Sequence, residues 1–282
     1  MDILYHYCPT ASFHAIVESH SLWLSSLSLS NDTMEGKLVA SAIVRLRERD
    51  SFDEDDVRRI QDHIGFFEKN IDGLGFCLSE DGDLLSQWRG YAENATGVAI
   101  GFSVEYLKWL SKASLGRTEP GFTLQSIEYE PSAHEALVEP TYSKVRQLIK
   151  DGTFKIPGLL DTIGMTDQEL AAIQERSASL LQVFTPLIPQ LFRLKACAFR
   201  EEREWRLLSY LIQYGAEACS HRVIDNRIVP YRKVELAELA RSPIAEVTLG
   251  PKHGTPTKIV EDFLKLNQYG LVKVRRSAVS YR

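Results

Sequence analysis

Hydrophobic and polar residues alternate in short, irregular stretches along this chain. Ile3-Leu4-Tyr5-His6-Tyr7 reads as a first strand. Pro9 and Thr10 then open a helix through Ser19, whose apolar face is Phe13, Ile16 and Val17. Leu22-Trp23-Leu24 predicts a second short strand, and Asp32-Thr33-Met34-Glu35 starts a helix that runs to about Arg49. The acidic cluster from Glu48 to Asp56 leads into a further helix that ends near Asn70. Gly73–Ser79 and Gly97–Phe102 predict buried strands on either side of a short helix, Leu84–Ala92; Ser103 is a helix N-cap, and Phe122–Tyr129 is one more strand. From Ser132 to about Ala198 the pattern is mainly helical, broken at Pro157-Gly158 and at Pro186 and Pro189. Strands follow near 203–210, 221–225, 228–234 and 244–249; a helix starts at Thr255-Pro256, with Pro at its first position, and a last strand covers 271–276.

Irregular interleaving of short strands and helices predicts an α+β fold rather than a repeating β-α-β sheet. No composition break divides the 282 residues, so one domain is expected, with a helical insertion at about 132–198. Hydrophobic residues make up 44% and charged residues 25%, the balance of a water-soluble domain with a large core. No run of 18 apolar residues predicts a membrane helix. The opening M-D-I-L-Y-H-Y lacks the basic and apolar regions of a signal peptide, so a cytoplasmic location is expected.

The net charge of −5 argues against a broad nucleic-acid surface. The charge is uneven, however: Arg222 to the end holds 12 Lys/Arg against 6 Asp/Glu, or +6, which leaves −11 on residues 1–221. A local basic face for a nucleotide or phosphate is compatible with that. The four cysteines, Cys8, Cys77, Cys197 and Cys219, show no C-x-x-C spacing, so no zinc site is expected and free thiols are. No P-loop, G-x-G-x-x-G, H-E-x-x-H or G-x-S-x-G pattern is present, and the G-P-K-H-G turn at 250–254 is an ordinary strand-to-helix connection.

The chemistry concentrates in F-R-E-E-R-E-W-R-L-L, residues 199–208. As a strand, it sends Glu202, Glu204 and Arg206 to one face. Carboxylates two residues apart are separated by roughly 6.6 Å along a strand, so both can reach one small ligand. Beside a sugar C1 they can stabilise an oxocarbenium-like transition state. As a helix, the same segment gives an ordinary Glu202–Arg206 i,i+4 ion pair, and the spacing leaves both readings open. Asp32 and Glu35 fit a capping box, which explains both without a ligand. Ser79 ends a buried strand, a usual place for a site residue. Trp88 and Tyr91, three apart on a short helix, share a face that serves either as core or as a stacking platform for a flat ring. His6 serves either as a structural histidine or as a donor to a ribose hydroxyl or phosphate.

In order along the chain come L-Y-H-Y (4–7), L-W-L-S (22–25), N-D-x-x-E (31–35), F-C-L-S-E (76–80), W-x-x-Y-A (88–92) and G-V-x-I-G-F (97–102), then E-x-E-x-R (202–206), L-G-P (249–251) and S-x-x-x-Y-R (277–282). This series resembles the bacterial domain-of-unknown-function family 2971, with Phe199 where members often carry Trp. More distantly, a first-strand His, then a helix, a short strand and a late-strand Glu are similar to ADP-ribosyltransferases. That resemblance implies a split mixed sheet flanked by helices, with NAD as substrate. It implies a ribose-binding His6, a catalytic Glu204, a Glu202 that orients the acceptor, and stacking by Tyr91 or Trp88. Arg206 or a basic residue of the C-terminal third would meet the pyrophosphate. Tyr7 stands where Gly is common beside the nicotinamide. The implied partners are a dinucleotide and an acceptor (protein, nucleic acid or water), in the setting of a toxin or a stress or phage-defence effector. Two other readings are kept: a non-catalytic nucleotide- or peptide-binding module, and a metal-dependent nuclease using Asp32, Glu35, Glu202 and Glu204.

Overall fold

A computed structural model describes residues 2–30, 32, 34–50, 52–116, 120–152, 154, 163–212, 219–224, 226–237, 241 and 243–281. The expected break at Pro157-Gly158, Asn31 and Thr33 of the N-D-x-x-E motif, Asp225 and Arg282 lie outside the described residues. The fold is mixed α+β and is built on one ten-stranded sheet. Its strands are β1 (Ile3–Cys8), β2 (Ser21–Ser26), β3 (Ile71–Ser79), β4 (Val98–Ser103), β5 (Thr123–Ser126), β6 (Glu204–Ile212), β7 (Ser220–Ile224), β8 (Arg227–Glu235), β9 (Ile244–Leu249) and β10 (Lys273–Arg276). The helices are α1 (Thr10–Ser19), α2 (Leu38–Arg47), α3 (Glu54–Asn70), α4 (Leu85–Gly90), α5 (Val104–Ser114), α6 (Pro131–Lys150), α7 (Asp167–Phe184), α8 (Ile188–Leu191) and α9 (Thr257–Leu266).

Strand β3 is the branch point. Along one edge it pairs with β6 over its whole length, from Ile71 opposite Ile212 to Ser79 opposite Glu204. Its other edge is shared. β1 meets it only at Tyr5 opposite Ser79, and β2 only at Ser25 and Ser26 opposite Gly75 and Leu74. One wing of the sheet continues from β1 through β4 and β9 to β10, and the other from β2 through β8 to β7. Phe76–Leu78 between them face no strand on that edge, so the sheet is split. A sheet edge normally needs partners for its polar groups. Part of that need is met by a side chain: His6 Nδ1 lies 2.8 Å from the Cys77 carbonyl.

Two large apolar clusters cover the sheet, and a small third one packs Trp88, Ala92 and Ala95 against Tyr7 and Ala99. One large cluster gathers Phe13, Ile16 and Val17 of α1, Leu107 and Leu110 of α5 and Val260 and Leu264 of α9 against strand residues that include Leu4, Phe102, Leu207 and Val247. The other holds α2, α3, α6 and α7 against Leu208 and Phe192. Local chemistry fixes the helix ends. The Asp53 side chain accepts from the Asp56 N–H at the start of α3, Ser103 accepts from Tyr106 at the start of α5, and Thr166 with Glu169 forms a full capping box on α7.

Several expected boundaries move; the strand expected over Phe122–Tyr129, for one, is confined to Thr123–Ser126. The helix expected from Asp32 begins at Leu38, and the capping box of Asp32 and Glu35 is absent. Asp32 instead accepts from the Met34 N–H in a tight turn, which releases the Glu35 side chain to the interior. The C-terminal helix starts at Thr257, with Pro256 as its N-cap rather than its first residue. Residues 199–208 divide between the two geometries: Cys197–Glu202 is a 3-10 helix, Arg203 takes a left-handed backbone (φ 43°), and the strand begins at Glu204.

Candidate functional site

A cavity of about 380 Å³ opens at the split of the sheet. Its walls bring together His6 of β1, Trp23 of β2, Cys77 of β3, Tyr91 just after α4, Glu204 and Arg206 of β6, and Arg222 of β7. Pockets of this size are the usual seat of small ligands.

The floor is a buried network of five charges. Arg206 is its hub and is 1% exposed. Its Nε donates to Glu204 Oε1 (2.6 Å) and its Nη2 to Glu204 Oε2 (3.1 Å). Its Nη1 and Nη2 grip Glu35 at 2.7 and 3.0 Å, and Nη1 also reaches the Phe192 carbonyl at 2.9 Å. A guanidinium has five N–H donors, and five acceptors meet them here. Lys195 bridges the other acids, with Nζ 2.6 Å from Glu202 Oε2 and 2.8 Å from Glu204 Oε2. Three carboxylates against two cations leave one formal negative charge when all are ionised.

Alternation along β6 brings Glu204 and Arg206 to the same face. Glu202 joins them by another route: the 3-10 turn and the left-handed Arg203 swing it toward Lys195. Glu202 Oε1 accepts from the Tyr91 hydroxyl at 3.2 Å. Lys195 is held by its backbone, whose N–H bonds the Glu128 carbonyl at 3.0 Å, and its ammonium lies 4.9 Å from the Phe199 ring centroid.

Burial alone would raise Glu204, but the Arg206 and Lys195 charges outweigh it and hold the carboxyl down at about 2. Burial likewise raises Glu35, and there the Arg206 pairing offsets only part of the effect. Lys195 pays for its burial and is still held above the ordinary lysine range by Glu204 and Glu202. Burial pushes the Cys77 thiol up, with Glu204 adding to the effect, so it is an inert neutral group.

The His6 ring stacks on Phe76 with centroids 3.9 Å apart, and burial drives its pKa down to about 4. A carbonyl can only accept, so the neutral ring carries its proton on Nδ1, toward Cys77. Nε2 is then an acceptor. This corrects the reading of His6 as a donor to a ribose hydroxyl or phosphate: with its proton directed at the Cys77 carbonyl the ring can accept from a hydroxyl but cannot hold an anion.

Other expected site residues take different places. Arg206 cannot meet a pyrophosphate, because all its donors are used inside the protein. Ser79 is 2% exposed; its hydroxyl donates to the Glu202 carbonyl at 2.7 Å, and it supports the site from behind. Trp88 is fully buried, with Nε1 on Asp83 (2.8 Å) and its ring edge-on to Tyr7. It shares no face with Tyr91, because α4 ends at Gly90 and the next residue turns outward; Tyr91 is 40% exposed. Tyr7 borders the cavity, yet its hydroxyl is engaged, donating to the Asp81 carbonyl and accepting from the Leu84 N–H.

The oxygens of Glu35, Glu202 and Glu204 are met by Arg206, Lys195 and Tyr91, and among the described residues no group of three or more His, Cys, Asp or Glu is arranged to hold a metal ion. Of the four acids in the metal-dependent nuclease reading, Glu35, Glu202 and Glu204 are thus engaged by cations or a hydroxyl, and Asp32, which lines the same cavity, keeps one buried oxygen, Oδ2, without a partner; three engaged carboxylates do not favour that reading. The residues that sequence reasoning missed are Lys195, which stands in no motif, and Arg222, foreshadowed only by the basic balance of the last third; Glu35, kept in the nuclease reading and otherwise explained by a capping pattern, takes a place in the network that neither reading gave it.

Residues 87–207 match the family model described as "Protein of unknown function (DUF2971)". This span carries Tyr91, Lys195, Glu202, Glu204 and Arg206; His6, Glu35 and Arg222 lie outside it. Searches of curated proteins and of solved structures gave no match.

Proposed function

We propose that the cleft takes NAD as a substrate, breaks its nicotinamide–ribose bond and passes the ADP-ribosyl group to an acceptor. One observation carries this reading: His6 and the Glu202–Glu204 pair, far apart in the chain, open onto one cavity at the split of the sheet. The glycosidic nitrogen of NAD is cationic. When the C1–N bond breaks, its electron pair leaves with neutral nicotinamide, and positive charge grows on the ribose C1 and ring oxygen. An acceptor oxygen or nitrogen then adds at C1 and loses a proton. A fixed anionic floor favours that transient cation, and a carboxyl held down at about 2 keeps its charge at any physiological pH. Arg206 and Lys195 immobilise Glu204, so little reorganisation is needed at the moment of reaction. His6 Nε2 accepts from a ribose hydroxyl. Tyr91 offers an exposed ring to the nicotinamide, and Glu202 steers the acceptor.

The test is nicotinamide release, measured by chromatography with water and with a cell lysate as acceptors. Wild type is expected to release nicotinamide. Glu202→Gln and Glu204→Gln are expected to lose about 10²–10³-fold, the scale of one lost electrostatic stabiliser, while a melting curve shows that they remain folded. No release by folded wild type from either mixture would refute the reading.

A specific feature favours a second reading, a non-catalytic nucleotide-binding module: both Glu204 oxygens are already engaged by Arg206 and Lys195. A module of that kind gains thermal stability from NAD without consuming it.

A further inference from the structure

We infer that Arg222 is the anion-binding residue of the cleft and takes the diphosphate group of a nucleotide. Among the described residues three cations line the cavity: Lys195, Arg206 and Arg222. Arg206 has no donor left, and Lys195 gives two of its three N–H groups to Glu202 and Glu204. Arg222 differs. Its Nη2 donates to Ser25 Oγ at 2.8 Å, and its buried Nε has no hydrogen-bond partner. A buried guanidinium N–H left without an acceptor is costly, and a bound anion is the usual remedy.

The residue is also held ready. Its guanidinium lies 5.3 Å from the Trp23 ring centroid, and Trp23 stacks on Tyr231 at 4.4 Å. Trp23 and Ser25 are alternate residues of β2, so the ring and the hydroxyl hold the guanidinium from one face of that wing. Burial lowers Arg222 and Tyr231 acts in the other direction, and among the described residues no carboxylate is paired with it. Among the described residues the cavity is therefore polarised, with an acidic floor at β6 and one uncompensated cation, Arg222, on the β2–β8–β7 wing. A ligand with a diphosphate and a cationic ring matches both ends. This assignment rests on the reading that the cleft takes a dinucleotide.

The experiment is isothermal titration of wild type, Arg222→Ala and Arg222→Lys with ADP, adenosine and inorganic pyrophosphate. Wild type is expected to bind ADP at least tenfold more tightly than adenosine. Arg222→Ala is expected to lose about tenfold or more for ADP with adenosine unchanged, and Arg222→Lys to recover part of the loss. The assignment is overturned if Arg222→Ala leaves the ADP affinity intact, or if adenosine falls by the same factor. Pyrophosphate binding as tightly as ADP would identify a free diphosphate as the ligand and overturn the nucleotide assignment. ADP has no nicotinamide–ribose bond, which separates this proposal from the catalytic one. Nicotinamide release without Arg222-dependent ADP binding sinks the anion site alone. Arg222-dependent ADP binding without nicotinamide release sinks the cleavage alone.

Discussion

Replacing Arg206 with Met keeps the length of the side chain and removes its charge and all five donors. Glu35 and Glu204, 7% and 5% exposed, lose their shared cation, and the Phe192 carbonyl loses its donor. Removing one partner of a buried ion pair costs about 3–5 kcal/mol, and an orphaned buried carbonyl adds about 1–3 kcal/mol. Lys195 still neutralises part of Glu204, so a loss of about 5 kcal/mol is expected at pH 7. That is a large share of the roughly 5–15 kcal/mol that holds a typical domain together. The pH dependence is the sharper signature. In wild type, Glu204 sits at about 2 against an ordinary 4.5. A depressed carboxyl contributes stability that is present above pH 4.5 and lost as the pH falls through 2, here roughly 3 kcal/mol. Glu35 is raised, so its contribution runs the other way: it is present at low pH and falls away as the pH rises above 4.5. In Arg206→Met, burial loses its main opponent and both carboxyls move upward. The variant should then recover part of its deficit as the pH drops from 7 toward 4.5, where both acids can be neutral. Urea unfolding followed by circular dichroism at half-unit pH steps gives the difference between the two proteins directly. A deficit below about 1 kcal/mol at pH 7, or one that stays constant or grows between pH 7 and 4.5, would show that Arg206 is not the counter-charge of a buried network.

The His6 imidazole is lowered to about 4 by burial, so it stays neutral on Nδ1 at pH 6–8; nitrogen-15 spectra should show that tautomer without titration near 6.5, and a midpoint there would contradict the assignment. Because the unfolded chain protonates first, this histidine costs stability as the pH falls from 6.5 toward 4. Gly97→Ala would place its Cβ 2.3 Å from the Cys8 carbonyl oxygen, against backbone that cannot give way, whereas the same change at Gly90 meets open space. Melting curves should show Gly97→Ala destabilised by at least about 1–3 kcal/mol and Gly90→Ala close to neutral; equal behaviour would mean that the β1–β4 junction is not tightly packed.

Much of the fold was legible because its signals are local. Short apolar runs found β1, β3 and β4, the helical period found the buried face of α1, and a serine before an apolar run found the cap of α5. Alternation also assigned Glu204 and Arg206 to one face. Glu35 shows where such signals fail. An acid three residues after Asp32 has the pattern of a capping box, and nothing nearby says that the turn will use Asp32 alone. What draws that second carboxylate inward is Arg206, 171 positions away, two of whose donors it accepts. Lys195 is similar, since its value comes from two acids that reach it only after a 3-10 turn and a left-handed residue have reoriented the chain.

The gap on the second edge of β3 could not be read from any segment. It arises because β3 is nine residues long while β1 and β2 each touch only part of its second edge, so three residues remain between them. That gap explains why the charges collect there. A continuous sheet would have buried Cys77 and its neighbours under another strand and left no room for side chains to meet ligands. Here the opening exposes the same face of β6 that carries Glu204, and the cost of an unpaired Cys77 carbonyl is relieved by His6, which is thereby fixed at the cleft. The first strand, the branch strand and the charged strand are thus coupled by one topological event. Closing the gap with a continuous β1–β3 ladder would remove the cavity, the histidine tautomer and the access to the acidic floor together.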